Sequence, residues 1–486
     1  TLKPHRRRNP HQTKIVNTLH LGSLALCLTL GACNPIGPDY KGPPQVPHAN
    51  TFRGGSGQSA DLDTWWLKLR SKELNQVVAR ALQNNHDIAI TRQRLREARA
   101  LRNQAASSIL PRADTSTSYT HSNLAGMPGF GSLDTISGAG FLGSPLKYWS
   151  AGIDVSWEID VFGGGRRTIS SARAREQAAR EDLHATRLAV AAETTETYFT
   201  IAGMRQQLAT VHSQIKLQQA LSNDVKNRFA AGANSRLDYD RAQTQLAITQ
   251  AQAPPLEAEI ITQLRRLTLL LGDPAGKLDD RRIAARSLPG KLPMIKTGLP
   301  ASLILRRPDV RKAERNLAAA TEDIGVAVSR FYPGFSIGGG PSNVSSSSGN
   351  LFKPSSFFWQ YSPQVRWSPF TSGSNKAYLD AANARQKSAM LGYQKSALAA
   401  IAEVESGLAG LRAESRKLVI IQRALVTAKS AVQQVKTKHQ AGATDYSDVL
   451  MEQERLQQIE ITEIRVKNQM IQLWIRLHKA LGGGWQ

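Results

Sequence analysis

The sequence predicts a mainly α-helical chain that also carries part of a membrane β-barrel. Three observations predict it: helical stretches too long for a compact domain, four short alternating segments, and an internal repeat spanning most of the chain. The helical stretch from about Arg166 to Ala231 has alanines and long polar residues at helical spacing and no proline before Gly232. At 1.5 Å per residue it spans roughly 100 Å. Upstream, Ser71 can cap a helix that runs to about Leu110, where Leu110-Pro111 stops it.

Two of the alternating segments are plain. Trp149, Ala151, Ile153, Val155 and Trp157 alternate with Ser150, Gly152, Asp154 and Ser156, and Phe357, Trp359, Tyr361, Val365 and Trp367 alternate with mainly polar neighbours. Their weaker partners lie near 112–122 and 334–345. Strands of about ten residues, apolar on one face with aromatics at the ends, are the pattern of a transmembrane barrel.

The repeat sets the architecture. Ala231-Gly232-Ala233 matches Ala441-Gly442-Ala443, and the same offset pairs Trp157 with Trp367 and Leu271-Gly272 with Leu481-Gly482. Ile109-Leu110-Pro111 answers Phe331-Tyr332-Pro333 at a slightly larger offset, the difference falling between the strands. Each half therefore reads as helix, two strands, long helix, second long helix. The expected divisions are 1–32, 33–60, 61–290 for the first repeat with strands about 112–122 and 149–158, and 291–486 for the second with strands about 334–345 and 358–369.

Four strands cannot close a membrane barrel, whose smallest members have about eight, and open edges in lipid cost several kcal/mol per unpaired backbone group. The barrel must be shared. Three copies give twelve strands and room for a pore, so a homotrimer is expected.

The amino end fits export. Lys3, Arg6, Arg7, Arg8 and Lys14 precede the apolar stretch Leu21–Ala32, and no acid occurs before Cys33. A basic region followed by such a stretch is a signal peptide. It closes in Leu30-Gly31-Ala32-Cys33, which resembles a bacterial lipobox, with Cys33 acylated by diacylglycerol and a fatty acid and Asn34 directing the chain to the outer membrane. Residues 34–60, with five prolines, read as an extended tether rather than a fold. Two cysteines exclude a disulfide framework: Cys27 leaves with the signal and Cys33 carries lipid. The formal charge of +24 suits lipid phosphates or a solvated surface, and an exported chain does not meet nucleic acid.

No catalytic motif is present, so an enzyme is not expected. The glycine runs at 163–165, 338–340 and 482–484 lack phosphate-binding context, the histidines have no metal-ligand spacing, and the six methionines are scattered; no metal site and no cofactor beyond the lipid are expected. The chemistry-bearing residues stand instead just past the repeat glycines: Asp238 and Asp240, and Asp445 and Asp448.

The chain resembles the outer-membrane efflux channels related to TolC and OprM, the NodT-type lipoproteins in particular. The resemblance runs from the lipobox to the last residues through Gly37-Pro38-Asp39-Tyr40, Pro254-Pro255-Leu256-Glu257, Gly298-Leu299-Pro300, Arg306-Arg307-Pro308-Asp309-Val310-Arg311 with Ala313-Glu314, and Lys479-Ala480-Leu481-Gly482-Gly483-Gly484-Trp485. Phe331-Tyr332-Pro333-Gly334 departs from the family's more usual Pro-Ser after the aromatics.

The resemblance implies a homotrimer whose twelve-stranded outer-membrane barrel, four strands per chain, continues as a periplasmic α-helical barrel. It implies the exit duct of a tripartite pump, docked to a periplasmic adaptor and an inner-membrane transporter of the RND type. It places Asp238 and Asp448, with Asp445 beside them, at the periplasmic aperture, while the family's next acidic position is Arg241 and Met451 here. The turns Ala231-Gly232 and Ala441-Gly442 are the expected adaptor-docking points, where glycine permits close approach. A lipid-anchored coiled-coil scaffold and the duct of a protein-secretion system are the alternatives. Cargo is chosen by the transporter, so the sequence names no substrate.

Overall fold

The computed structural model describes residues 35–47, 49–53, 64–122, 146–274 and 288–484. Cys33 and the signal region lie outside the described residues. The helices are α1 (Lys72–Asn84), α2 (His86–Ser107), α3 (Gly164–Ala230), α4 (Arg236–Gln250), α5 (Ala253–Leu270), α6 (Pro300–Arg306), α7 (Pro308–Ser329), α8 (Ser374–Gln440) and α9 (Tyr446–Ala480). The strands are β1 (Arg112–Ser122), β2 (Leu146–Ile159), β3 (Gly334–Ser345) and β4 (Phe357–Arg366). Trp367, placed at the end of the last alternating segment by sequence, lies just past β4.

The chain forms two compact units. One is built from the segment up to Gly42, Ala98–Glu176 and Asn316–Ala389; the other from Pro43–Glu97, Gln177–Arg315 and Met390–Gln486. The first holds the sheet, whose strands run antiparallel in the order β1-β2-β3-β4. β1 pairs only with β2 and β4 only with β3 among the described residues, so both outer edges are open within the chain. Small residues let the helices of this unit approach closely: Ala174, Ala318 and Ala319 pack together, as do Ile324, Ala327 and Ala382. The Asp160 carboxylate accepts the N–H groups of Gly165 and Arg166 at 2.9 and 2.8 Å, which satisfies two free donors at the start of α3.

The second unit has its main core where Trp65, Leu74, Val78, Tyr198, Ile201, Leu264, Leu267, Ile471, Trp474 and Ile475 meet. A second cluster joins Val46 and Phe52 to Val310, Tyr393, Val404 and Leu477. The segment expected to be a bare tether is therefore extended but docked: Val46 and Phe52 are buried, so its few apolar residues are used as anchors.

The two repeats share single hydrogen bonds. The indole N–H of Trp157 donates to the Ile109 carbonyl at 2.9 Å, and that of Trp367 to the Phe331 carbonyl at 3.1 Å. α3 and α8 are each 67 residues long. Both end alike: Gly232 and Gly442 have φ near +73° and +72°, and Ala233 and Ala443 donate back to the carbonyls of Arg228 and Lys438.

One expected helix is two. The stretch from Ser71 toward Leu110 breaks at Asn85, whose amide donates to the Leu270 carbonyl at 3.0 Å while its Oδ1 accepts the N–H of Asp87 and Ile88. Asn85 thereby starts α2 and closes the end of α5. In the second repeat Arg307 holds the matching place and donates to the Ala480 carbonyl at 3.0 Å. It also reaches Asp309 at 2.6 Å and Glu403 at 2.7 Å. These carboxylates hold the guanidinium charged against burial, which raises the Arg307 pKa and lowers that of Asp309. Arg307→Ala is expected to cost about 2–3 kcal/mol of stability, since it strands a helix-end carbonyl and removes a buried guanidinium with its packing and two charge-assisted bonds. Asn85→Ala should cost about 1 kcal/mol. Thermal unfolding of the two detergent-solubilised variants measures the difference.

A second asymmetry separates α4 from α5, where α9 runs unbroken. Pro254 and Pro255 stand in the first turn of α5, where a missing N–H leaves no bond unmade; within a continuous helix they would remove two.

His478 lies 3.8 Å, ring centre to ring centre, from Trp474 and is 2% exposed. Burial pushes its pKa down from 6.5 to about 4, so the folded chain holds it neutral. The unfolded chain binds the proton first as pH falls. Stability is thus full above about pH 6.5 and declines toward pH 4 by as much as about 3 kcal/mol. Melting temperatures of wild type and His478→Gln should diverge less at pH 4.5 than at pH 7.5.

Candidate functional site

The sheet separates its residues by chemistry. Register places Thr115, Thr117 and Tyr119 of β1 on the same face as Trp149, Ile153, Val155 and Trp157 of β2. The same face takes Phe335, Ile337 and Gly339 of β3 with Val365, Pro363 and Tyr361 of β4. The opposite face is mainly polar, with Arg112, Asp114, Ser116 and Ser118, then Ser150, Asp154, Ser156 and Glu158, then Ser336 and Ser342, then Gln360, Ser362, Gln364 and Arg366, and takes Tyr148, Val344 and Phe358 toward its other end. On that face Ser116 donates to Asp154 at 3.3 Å, and the Ser118 and Ser150 hydroxyls lie 2.8 Å apart. Trp359, Tyr361 and Val365 on the apolar face are 72, 63 and 63% exposed. Large apolar groups open to the outside on one face, with charges and hydroxyls on the other, suit lipid outside and water inside. A cavity of about 830 Å³ opens at the Arg112 end of the sheet, lined by Gln104, Arg112, Glu158, Ser336, Gln364 and Arg366 among others.

The helix-to-helix turns of the second unit carry the remaining candidate residues. Val225 of α3, Ala242 of α4 and Tyr446 and Leu450 of α9 pack together with Tyr239, so the starts of α4 and α9 share one cluster. Asp238 and Asp448 occupy matching third positions of these helices but do different things. The Asp238 carboxylate accepts the Ser235 N–H at 3.1 Å and the Ser235 hydroxyl at 2.7 Å, while its own N–H donates to Ser235 Oγ at 3.1 Å, a closed capping box. Asp448 is exposed, and its backbone N–H donates to the Asp445 carbonyl at 3.2 Å. Asp445 stands at the N-cap of α9 without a side-chain capping bond. Asp240 pairs with Arg236 at 3.0 Å on the surface. At Gly232 and Gly442 an added Cβ meets nothing within 4 Å, so both turns are open to approach from outside.

Sequence reasoning missed the aromatic support of these turns. Phe229 and Tyr239 stack at 5.7 Å, and His439 Nδ1 lies 3.0 Å from the Thr444 carbonyl. Tyr446 is 4% exposed, and its hydroxyl has no hydrogen-bond partner among the described residues; burial pushes its pKa up to about 12. The visible signal was an aromatic side chain shortly after each turn glycine. Among the described residues no group of acidic, histidine or cysteine side chains could hold a metal ion.

A sheet with one lipid-facing and one polar face, fed by helices far longer than a globular domain needs, defines a membrane channel protein of the β-barrel class. The sequence pattern of the Outer membrane efflux protein family matches residues 77–273 and again 299–483, once in each repeat. The chain belongs to that family. It is 27% identical over 471 residues to the pyoverdine export outer membrane protein OpmQ of Pseudomonas aeruginosa, covering 96% of this chain and 97% of that one. It is 28% identical to Nodulation protein T of Rhizobium leguminosarum bv. trifolii, covering 94 and 96%. The solved outer-membrane channel OprN superimposes with a TM-score of 0.82 at 27% identity, over 93% of this chain and 99% of that one. The chain is accordingly an outer-membrane efflux channel component of a Gram-negative bacterium, of a family of ducts rather than enzymes.

Proposed function

We propose that three copies of the chain close a twelve-stranded barrel and act as the passive exit duct of a tripartite pump. The two edges of the four-stranded sheet that stay open among the described residues carry this reading: in lipid both must be paired, and further copies of the chain supply the partners. Apolar side chains left outward on the helices support it, Leu269 and Val426 being each 71% exposed and Ile420 65%. The duct receives small molecules from an inner-membrane transporter, of the RND type in line with the likeness to OprM-like channels, through a periplasmic adaptor docked on the turns at Ala231-Gly232 and Ala441-Gly442. Asp448, with Asp445 and Asp238, lines the aperture at that end. Cys33 carries diacylglycerol and a fatty acid and adds anchoring to the barrel.

Light scattering in detergent, corrected for bound detergent, should give about three times the mass of the processed chain, and planar bilayers should show discrete conductance. A monodisperse monomer without conductance would leave a lipid-anchored scaffold instead. Metabolic labelling with a fatty acid should mark the wild type and not Cys33→Ala; equal labelling of both would end the lipid assignment.

A further inference from the structure

One buried side chain holds the beginning of the tether. Arg167, in the first turn of α3, has a side chain 5% exposed. Its guanidinium donates to the carbonyl oxygens of Pro35, Ile36 and Gly37, each at 3.1 Å. It also donates to the carboxylates of Asp39 at 2.7 Å and Glu322 of α7 at 2.9 Å. Nε donates to Ile36 and Nη1 to Glu322, while the two hydrogens of Nη2 are shared among Pro35, Gly37 and Asp39; a lysine ammonium has three donors and no fixed plane to span these acceptors.

The backbones around it come closer than side chains allow. Gly37, at φ +94°, would bring a Cβ to 2.6 Å from the Gly325 Cα, and a Cβ on Gly325 would lie 2.8 Å from Arg167 Cδ. Gly163, at φ +80°, would bring one to 2.6 Å from the Pro35 Cα. Ile36 adds a hydrogen bond from its N–H to the Phe162 carbonyl at 3.1 Å. A spacer that only links a lipid to a barrel needs none of this.

The clamp also has a direction. The Phe162 ring lies 4.7 Å from Tyr332 and 6.4 Å from Phe335, and Phe335 belongs to the apolar face of the sheet. Only Asn34 separates Cys33 from Pro35, and two residues of chain reach at most about 7 Å. We propose that Arg167 is the positioning residue of the lipid anchor. It fixes the point from which the tether departs, so that acyl chains on Cys33 start beside the Phe162–Tyr332–Phe335 patch on the lipid side. The proposal rests on the acylation of Cys33 for its lipid part, and on the clamp geometry alone for the rest.

Hydrogen exchange on the full chain in detergent tests the clamp, with Cys33 present and with Cys33→Ala. Exchange at the Ile36 amide should rise at least about tenfold in Arg167→Gln, the scale expected when charge-assisted hydrogen bonds are lost, with β2 and β3 amides unchanged. Arg167→Lys should not restore protection. Gly37→Ala, which leaves Arg167 intact and displaces the tether, should give the same local loss and keeps the test valid if Arg167→Gln fails to fold. A photoreactive fatty acid incorporated in vivo should cross-link to Phe162, Tyr332 or Phe335 in the wild type and much less in Arg167→Gln at equal incorporation.

Unchanged Ile36 exchange in both variants overturns the clamp, as does exchange that rises equally through β2 and β3. Unchanged cross-links in Arg167→Gln overturn its role in placing the lipid. Absence of fatty acid from the wild type refutes the Cys33 assignment and with it the lipid part of the proposal, while exchange in the Cys33→Ala chain still decides the clamp.

Discussion

Tyr361→Arg is expected to abolish accumulation of the trimer in the outer membrane, while Gln360→Arg, one residue earlier, is expected to assemble normally. Tyr361 sits midway along β4 on the apolar face. An arginine on the lipid face near the midplane costs about 2–4 kcal/mol, and a trimer bears that cost three times. Gln360 points to the opposite, mainly polar face, paired with Gly340 and between Phe358 and Ser362, where water solvates the new charge. Quantifying the trimer in outer-membrane fractions reads the first effect. Bilayer recordings read the second, as a shift of Gln360→Arg channels toward anions. Equal accumulation of both variants would mean that the faces of the sheet are wrongly assigned.

On the proposed aperture role, Asp448→Ala should weaken block by multivalent cations by about tenfold or more and reduce cation preference, with assembly intact, since three exposed carboxylates around a narrow mouth would form a cation-attracting ring. Asp238→Ala should do something else. Its carboxylate is committed to Ser235, so the change removes a capping box and loosens the start of α4 by about 1 kcal/mol, with a smaller effect on block. The pair separates two roles that adjacent helix starts would otherwise confuse. Wild-type block in Asp448→Ala channels would reduce Asp448 to a helix-start residue that complements the dipole of α9.

Much of the fold is legible in the sequence because its elements are extreme. Strand alternation over Trp149–Trp157 and an unbroken run from Arg166 to Ala231 leave few other structures open. The repeat then doubles the information at every position. What sequence reading lost was local and depended on partners far along the chain. Asn85 looks like one more polar residue within a helix; its reason to interrupt is the Leu270 carbonyl, 185 residues away. The repeat carried the clue, since Arg307 and Pro308 stand opposite Asn85 and His86, and the proline makes the second break visible. Pro254-Pro255 was likewise open to reading as a helix start. The acids proposed for the aperture are legible by position alone, and the difference between a committed Asp238 and an exposed Asp448 shows only in the fold. The Arg167 clamp was invisible because three of its five acceptors are backbone carbonyls, which every residue possesses.

The twin closures at Asn85 and Arg307 also bear on how the chain is made. Asn85 finds its acceptor at Leu270 and Arg307 finds its own at Ala480, 185 and 173 residues later. Neither closure borrows from the other half. The amino-terminal half can therefore complete its long-range contact once Leu270 has emerged, before the carboxy-terminal half exists. Contacts of such separation form slowly because a large loop must be closed first. The seams between halves, the β2–β3 pairing and the core where Trp474 and Ile475 meet Trp65 and Leu264, close only once the second half is made.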